Sequence, residues 1–150
     1  MIRRGVLAVV LGLAAAAGAT FATTASADPV YHTERLELSG VGGAPGGGMV
    51  VNIHANGPNV YAHEVYVLRH AVPGTYQVSL TLHPTSLDCT GPGVELPTAT
   101  IETNAEGNGR ADVKFTPADV GGLRGTTVSI SWSVIGPATY VTDCTVVTLD

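Results

Sequence analysis

The chain has 150 residues, 45% hydrophobic and 13% charged, with seven Lys+Arg against twelve Asp+Glu and a net charge of −5. That length suits one small domain, and the apolar content is too high for a disordered chain. The acidic balance excludes recognition of DNA, RNA or an anionic membrane through a basic patch.

Residues 1–27 have the anatomy of a secretory signal. Arg3 and Arg4 give the charged start, residues 6–17 the apolar run, and Ala25-Ser26-Ala27 the small residues that a signal peptidase accepts. The run is shorter than the ~20 apolar residues that span a bilayer, so it reads as a removed leader and not as a stable membrane anchor. Gly5-Val6 after the arginine pair favours Sec export over the twin-arginine route. The expectation is a secreted, extracellular domain over residues 28–150. Loss of Arg3 and Arg4 leaves five basic residues against twelve acidic ones, a net charge of −7.

Period-2 alternation predicts strands near 33–39, 49–55, 60–68, 75–83, 99–103, 110–116, 126–135 and 140–149. Between the first two, residues 40–48 form a Gly-rich loop. In 75–83, Tyr76, Val78, Leu80 and Leu82 alternate with Gln77, Ser79 and Thr81. Asn104-Ala105-Glu106-Gly107-Asn108-Gly109 has the composition of a hairpin turn. Centred on Glu106, that hairpin sets Glu102 opposite Arg110. Pro117-Ala118-Asp119-Val120 suits a single helical turn. In 126–135, Val128, Ile130, Trp132 and Val134 share one parity and Ser129, Ser131 and Ser133 the other, a strand with one buried and one wet face. Gly136-Pro137 divides it from the last strand. About 7–9 short antiparallel strands predict an all-β, immunoglobulin-like sandwich. Cys89 and Cys144, the only cysteines, predict one disulfide in an oxidising milieu.

The search for chemistry is mostly negative. There is no Gly-x-Ser-x-Gly elbow, Lys114 is the sole lysine, and residues 40–48 lack the Gly-Lys-Ser/Thr ending of a phosphate loop. No cofactor signature and no assembled catalytic group emerges, so the chain reads as a non-enzyme. Five histidines fall before residue 84. A hairpin through Gly57-Pro58 would pair His54 with Tyr61 and Asn52 with His63, placing His54 and His63 on one face as candidate Zn²⁺ or Cu²⁺ ligands. Glu64 has the opposite parity to His63 and points away from such a site. Asp88 and Asp143 each precede a bridged cysteine and form a second candidate pair, for a shared proton or Ca²⁺. Trp132, Phe115 and Tyr76 fall at core parities, which leaves Tyr31, Tyr61 and Tyr140 as candidates for a binding surface.

The Ala/Gly/Thr/Val bias and the run from Ala99 to Val113 resemble secreted immunoglobulin-like sandwich proteins of actinobacteria; the resemblance implies fold and location, not activity. The same run and Thr142-Asp143-Cys144-Thr145 resemble neocarzinostatin-type apoproteins, acidic secreted sandwiches that carry a hydrophobic enediyne. That family has two disulfides where this chain forms at most one, so no residue of its cleft is carried over. Three functions follow as expectations. The first is a non-catalytic extracellular or cell-envelope module that binds a protein, glycan or small ligand. The second is a carrier of a small apolar ligand in a sandwich cleft, and the third a metal-binding protein using His54 and His63.

Overall fold

In the computed structural model, which describes residues 31–55 and 61–149, the alternating segments are strands. They are β1 (Tyr31–Gly40), β2 (Gly47–Ala55), β3 (Tyr61–Arg69), β4 (Thr75–His83), β5 (Val94–Glu102), β6 (Gly109–Phe115), β7 (Thr126–Ile135), β8 (Thr139–Val141) and β9 (Thr145–Leu149). A single helical turn, α1 (Pro117–Val120), follows β6. The expected leader lies outside the described residues. Among the described residues, no helix is long and apolar enough to cross a membrane.

Every described strand pair is antiparallel, and the strands hydrogen-bond into one nearly closed, barrel-like sheet in the order β5-β4-β7-β8-β1-β2-β3-β6. β7 is long enough to hold two partners on one side, β8 at Ser133–Ile135 and β9 at Thr126–Ile130. The corner between the two halves is slight: β1 meets β8 only through Ser39 with Val141 and Gly40 with Tyr140. The inward parities supply the core, led by Trp132, Tyr66, Tyr76, Tyr140, Leu38 and Leu68, each at most 1% exposed. Burying side chains of that size contributes about 1.5–3 kcal/mol apiece.

Three departures from the sequence pattern have local causes. The expected strand 140–149 is split because Thr142 turns inward: its hydroxyl accepts the Trp132 N–H at 3.0 Å and its own N–H donates to Trp132 O at 3.1 Å. The turn at residues 103–108 forms, with Asn104 accepting from Glu106 and Asn108 through its Oδ1, but its two strands do not ladder with each other. Glu102 lies opposite Thr75 and Arg110 opposite Val67, so the expected Glu102–Arg110 register is corrected. Gly107 explains why the turn sits where it does. It has φ 75°, its carbonyl accepts from Ala71 N at 3.0 Å, and a Cβ there would lie 1.9 Å from Ala71 O. Third, β5 begins five residues before the alternation suggests, because a bulge after Pro97 interrupts its period.

Cys89 and Cys144 form the expected disulfide, with Cα atoms 5.8 Å apart. It ties the loop after β4 to the β8–β9 joint. Ser129 anchors the same loop, accepting from Cys89 N at 3.1 Å and donating to Ser86 O at 2.8 Å. The bridge closes a loop over a sequence separation of 55. In the chain-entropy account, that constraint on the unfolded state is worth about 4 kcal/mol. The Cys89→Ala/Cys144→Ala double variant should therefore lose about that much unfolding free energy in urea titrations. A loss under about 1 kcal/mol would mean that the unfolded chain is already held compact by other means.

Candidate ligand-binding cleft

β5 and β6 are the two ends of the sheet path, and they carry no ladder between them. The 103–108 turn holds them together at one end of the barrel. At the other end a cleft of about 280 Å³ opens. Its walls are Leu80, Leu96, Phe115, Val120, Ile130 and Val147, one from each of six elements. α1 stands over the mouth. Its start is fixed by Asp119, whose carboxylate accepts from the Thr116 N–H and hydroxyl, both at 2.7 Å. Those bonds hold Asp119 below the usual carboxylate range. Val120 then packs with Ala62 and Phe115 as an apolar cluster separate from the main core, and the cleft lies between the two.

The floor is polar. Asn52 and His54 of β2, Glu64 of β3 and Thr98 of β5 line it. Glu64 is only 3% exposed. Its Oε2 accepts from Trp132 Nε1 at 2.9 Å and from the Tyr66 hydroxyl. Both bonds fall on the same oxygen, so Oε1 is the atom left to a group in the cleft. Burial pushes the Glu64 carboxyl above the usual carboxylate range, against the opposite pull of its two donors. Burial, and after it the neighbouring carboxylate, also push the Tyr66 phenol far up, so Tyr66 is a hydrogen-bond donor at any working pH.

Thr98 reaches the site through the β5 bulge. Val78 pairs Ala99, but Ser79 pairs Pro97, so Thr98 is the extra residue. The extra residue turns in beside Ala99, and its Oγ1 lies 2.8 Å from the Tyr66 hydroxyl. Pro97, with no N–H to donate, is tolerated here because β5 is an edge strand. On the β1–β2 side, Glu34 accepts from His54 Nε2 at 3.1 Å and from Asn52 Nδ2 at 3.3 Å. His32 stacks on His54 with ring centroids 5.3 Å apart.

The sequence-derived candidates fare unevenly. The register is Ala55 with Tyr61, His54 with Ala62 and Ile53 with His63, one residue away from the expected pairing. That slip turns all of β3 over relative to β2. His54 therefore faces inward beside the cleft, while His63 faces outward with Nε2 3.4 Å from Asp112 Oδ2. The two histidines do not share a face, and the paired metal site is corrected. Among the described residues no group of three His, Cys, Asp or Glu is placed to hold a metal ion. Tyr140 is corrected as well: it is fully buried, with its hydroxyl donating to Pro45 O at 2.7 Å. The side chains of Tyr31 and Tyr61 lie outside the described residues. Asp88 is occupied locally, accepting from the Thr90 hydroxyl at 2.6 Å and N–H at 3.2 Å, and these bonds hold it below the usual range. Trp132 and Tyr76 are core residues as expected, and Phe115 is a cleft wall. Tyr66 and Thr98 enter the site with no motif of their own, and Asn52 lies opposite Glu64 instead of His63. The parity Ala62, Glu64, Tyr66, Leu68 is the signal that points to Glu64, since an acid within an inward apolar row is costly unless it is used.

Comparison with known protein families, with curated proteins and with solved structures returns no match.

A carboxyl whose folded value is raised binds its proton more tightly in the native state than in the unfolded chain. Its contribution is fully present below the unfolded value and is lost as the pH rises through the folded one. Urea midpoints of the wild type should therefore fall as the pH rises above about 4.5, whereas Glu64→Gln should flatten that slope. Parallel slopes in the two proteins would assign the pH dependence to another group.

Proposed function

We propose that this chain is a secreted, non-catalytic binding protein that carries a small, predominantly apolar molecule in the cleft between β5 and β6. The observation that carries the reading is the six-element apolar wall around 280 Å³, closed by a polar floor. Ligand sites are typically concave and apolar with a few placed polar groups, and this one lies just below their usual range of roughly 300–1,000 Å³, a size for a compact ligand. The architecture in this reading is a flattened, immunoglobulin-like sandwich whose layers meet at the β1–β8 corner. The Cys89–Cys144 bridge accords with maturation in an oxidising compartment outside the cytoplasm.

The chain has one tryptophan, and Trp132 bonds directly to the Glu64 carboxyl on the cleft floor. Its emission is therefore a built-in reporter of occupancy. Titration with adamantanol, a neutral, compact and non-fluorescent hydrocarbon alcohol, should give a saturable change in Trp132 fluorescence. Ala62→Phe adds a ring beside Val120 and Phe115 and should weaken that binding by about tenfold or more, or about 1.4 kcal/mol, measured well below the variant's own thermal midpoint because overpacking this buried position also costs stability. Equal binding by wild type and variant would place the alcohol elsewhere and overturn the assignment of the cleft.

A further inference from the structure

The floor of the cleft is lopsided in its hydrogen-bonding capacity. Glu64 receives both of its donors on Oε2, leaving Oε1 as an acceptor. Asn52 gives one Nδ2 N–H to Glu34, keeping its second N–H and the Oδ1 acceptor. His54 directs Nε2 to the Glu34 carboxylate, so with the proton on Nε2 its Nδ1 is an acceptor too, and that atom is buried without a partner. Thr98 Oγ1 stands beside the Tyr66 hydroxyl and adds another oxygen. Among the described residues neither Lys nor Arg lines the cleft, and its ionisable residues are Glu64, His54 and Asp119. The side chains facing Glu64 from neighbouring elements are Tyr66 on its own strand, Trp132 from β7, Thr98 from β5 and Asn52 with His54 from β2, backed by Glu34. Among the described residues no fixed positive charge balances the carboxyl.

A buried carboxylate is costly unless it is paired or takes up a proton, and unmet acceptors on a buried floor cost free energy of their own. The ligand group that answers both is a cation that donates and does not accept. An ammonium does so with three N–H groups and no acceptor. An alcohol supplies one donor and adds lone pairs to an acceptor-rich floor, and a carboxylic acid brings a second negative charge. The apolar walls set the rest of the molecule.

Resting on the cleft as the ligand site, we propose that the occupant is an apolar molecule bearing one amine, held with its ammonium nitrogen against Glu64 and its hydrocarbon body against the six walls. Glu64 is the specificity-determining residue. It sits one inward position deeper than Ala62, so the charged end enters first and the apolar end remains under α1. Burial strengthens the ammonium–carboxylate hydrogen bond relative to its value in water.

Three probes with one hydrocarbon body separate the possibilities: adamantylamine, adamantanol and adamantane carboxylate, each titrated against the full, disulfide-intact chain by Trp132 fluorescence and calorimetry. The expected result is an amine that binds about tenfold or more tighter than the alcohol, with the carboxylate weakest. Glu64→Gln should remove the amine's advantage while leaving alcohol binding in place. In the wild type, lowering the pH should weaken the amine and not the alcohol, because protonation of Glu64 removes its charge while the amine remains an ammonium. This comparison needs no variant. Equal affinities, a preference for the alcohol or the carboxylate, or an amine preference that survives Glu64→Gln would overturn the amine assignment while leaving the cleft as a ligand site. Saturable binding by none of the three would overturn the carrier reading, and the amine assignment with it.

Discussion

Two side-chain hydrogen bonds, Trp132 to Glu64 and Tyr66 to Thr98, cross from one half of the barrel to the other, and the first carries the buried charge. Trp132 lies in β7, among the strands that precede the β1–β8 corner in the sheet order, and Glu64 lies in β3, among those that follow it. Their 2.9 Å contact joins residues 68 positions apart in the chain. The carboxyl is too polar to be surrounded by hydrocarbon and too buried to reach bulk water freely. The structure meets that demand with the Trp132 N–H, the Tyr66 hydroxyl and a space beside the remaining oxygen. The cleft belongs to the same solution. With an apolar side chain in place of Glu64, the floor would keep Asn52, His54 and Thr98 but lose its buried carboxyl.

The strand pattern was legible in the sequence wherever one face is wet. β4 and β7 run over the residues that alternation marks, because their serines and threonines contrast with Val, Leu, Ile and Trp. β3 is the instructive failure. Its outward row holds Val65 and Val67 beside His63, while its inward row holds Glu64 beside Ala62, Tyr66 and Leu68. Hydrophobicity scarcely distinguishes the two faces, so an assumed turn decided the register, and a slip of one residue exchanged them. The front half of β5 was hidden for a different reason. Pro97 and the unpaired Thr98 break the period of two at the place where the strand contributes to the site.

The candidate site was less legible than the fold because its logic is three-dimensional. His54, drawn from the sequence as a metal ligand, does lie beside the cleft, but as a partner of Glu34 and a stacking surface for His32. Tyr140 had the composition of a binding residue and is instead a core residue whose hydroxyl closes the loop at Pro45. The disulfide was readable because two cysteines allow only one internal pairing. The unequal loading of Glu64's two oxygens leaves no trace in residue order; it exists only once β3 and β7 are brought together.

An open seam carries a hazard that the Pro97–Thr98 irregularity addresses. β5 is an edge strand whose Val94 and Leu96 are 55% and 41% exposed, the kind of apolar border on which copies of a protein can stack into fibrils. A proline and a bulge in mid-strand interrupt the straight, regular row of backbone groups that such stacking requires. The kink that brings Thr98 to the cleft thus also guards against self-assembly. Straightening it by removing one residue would be expected to yield a stickier protein as well as an emptier floor.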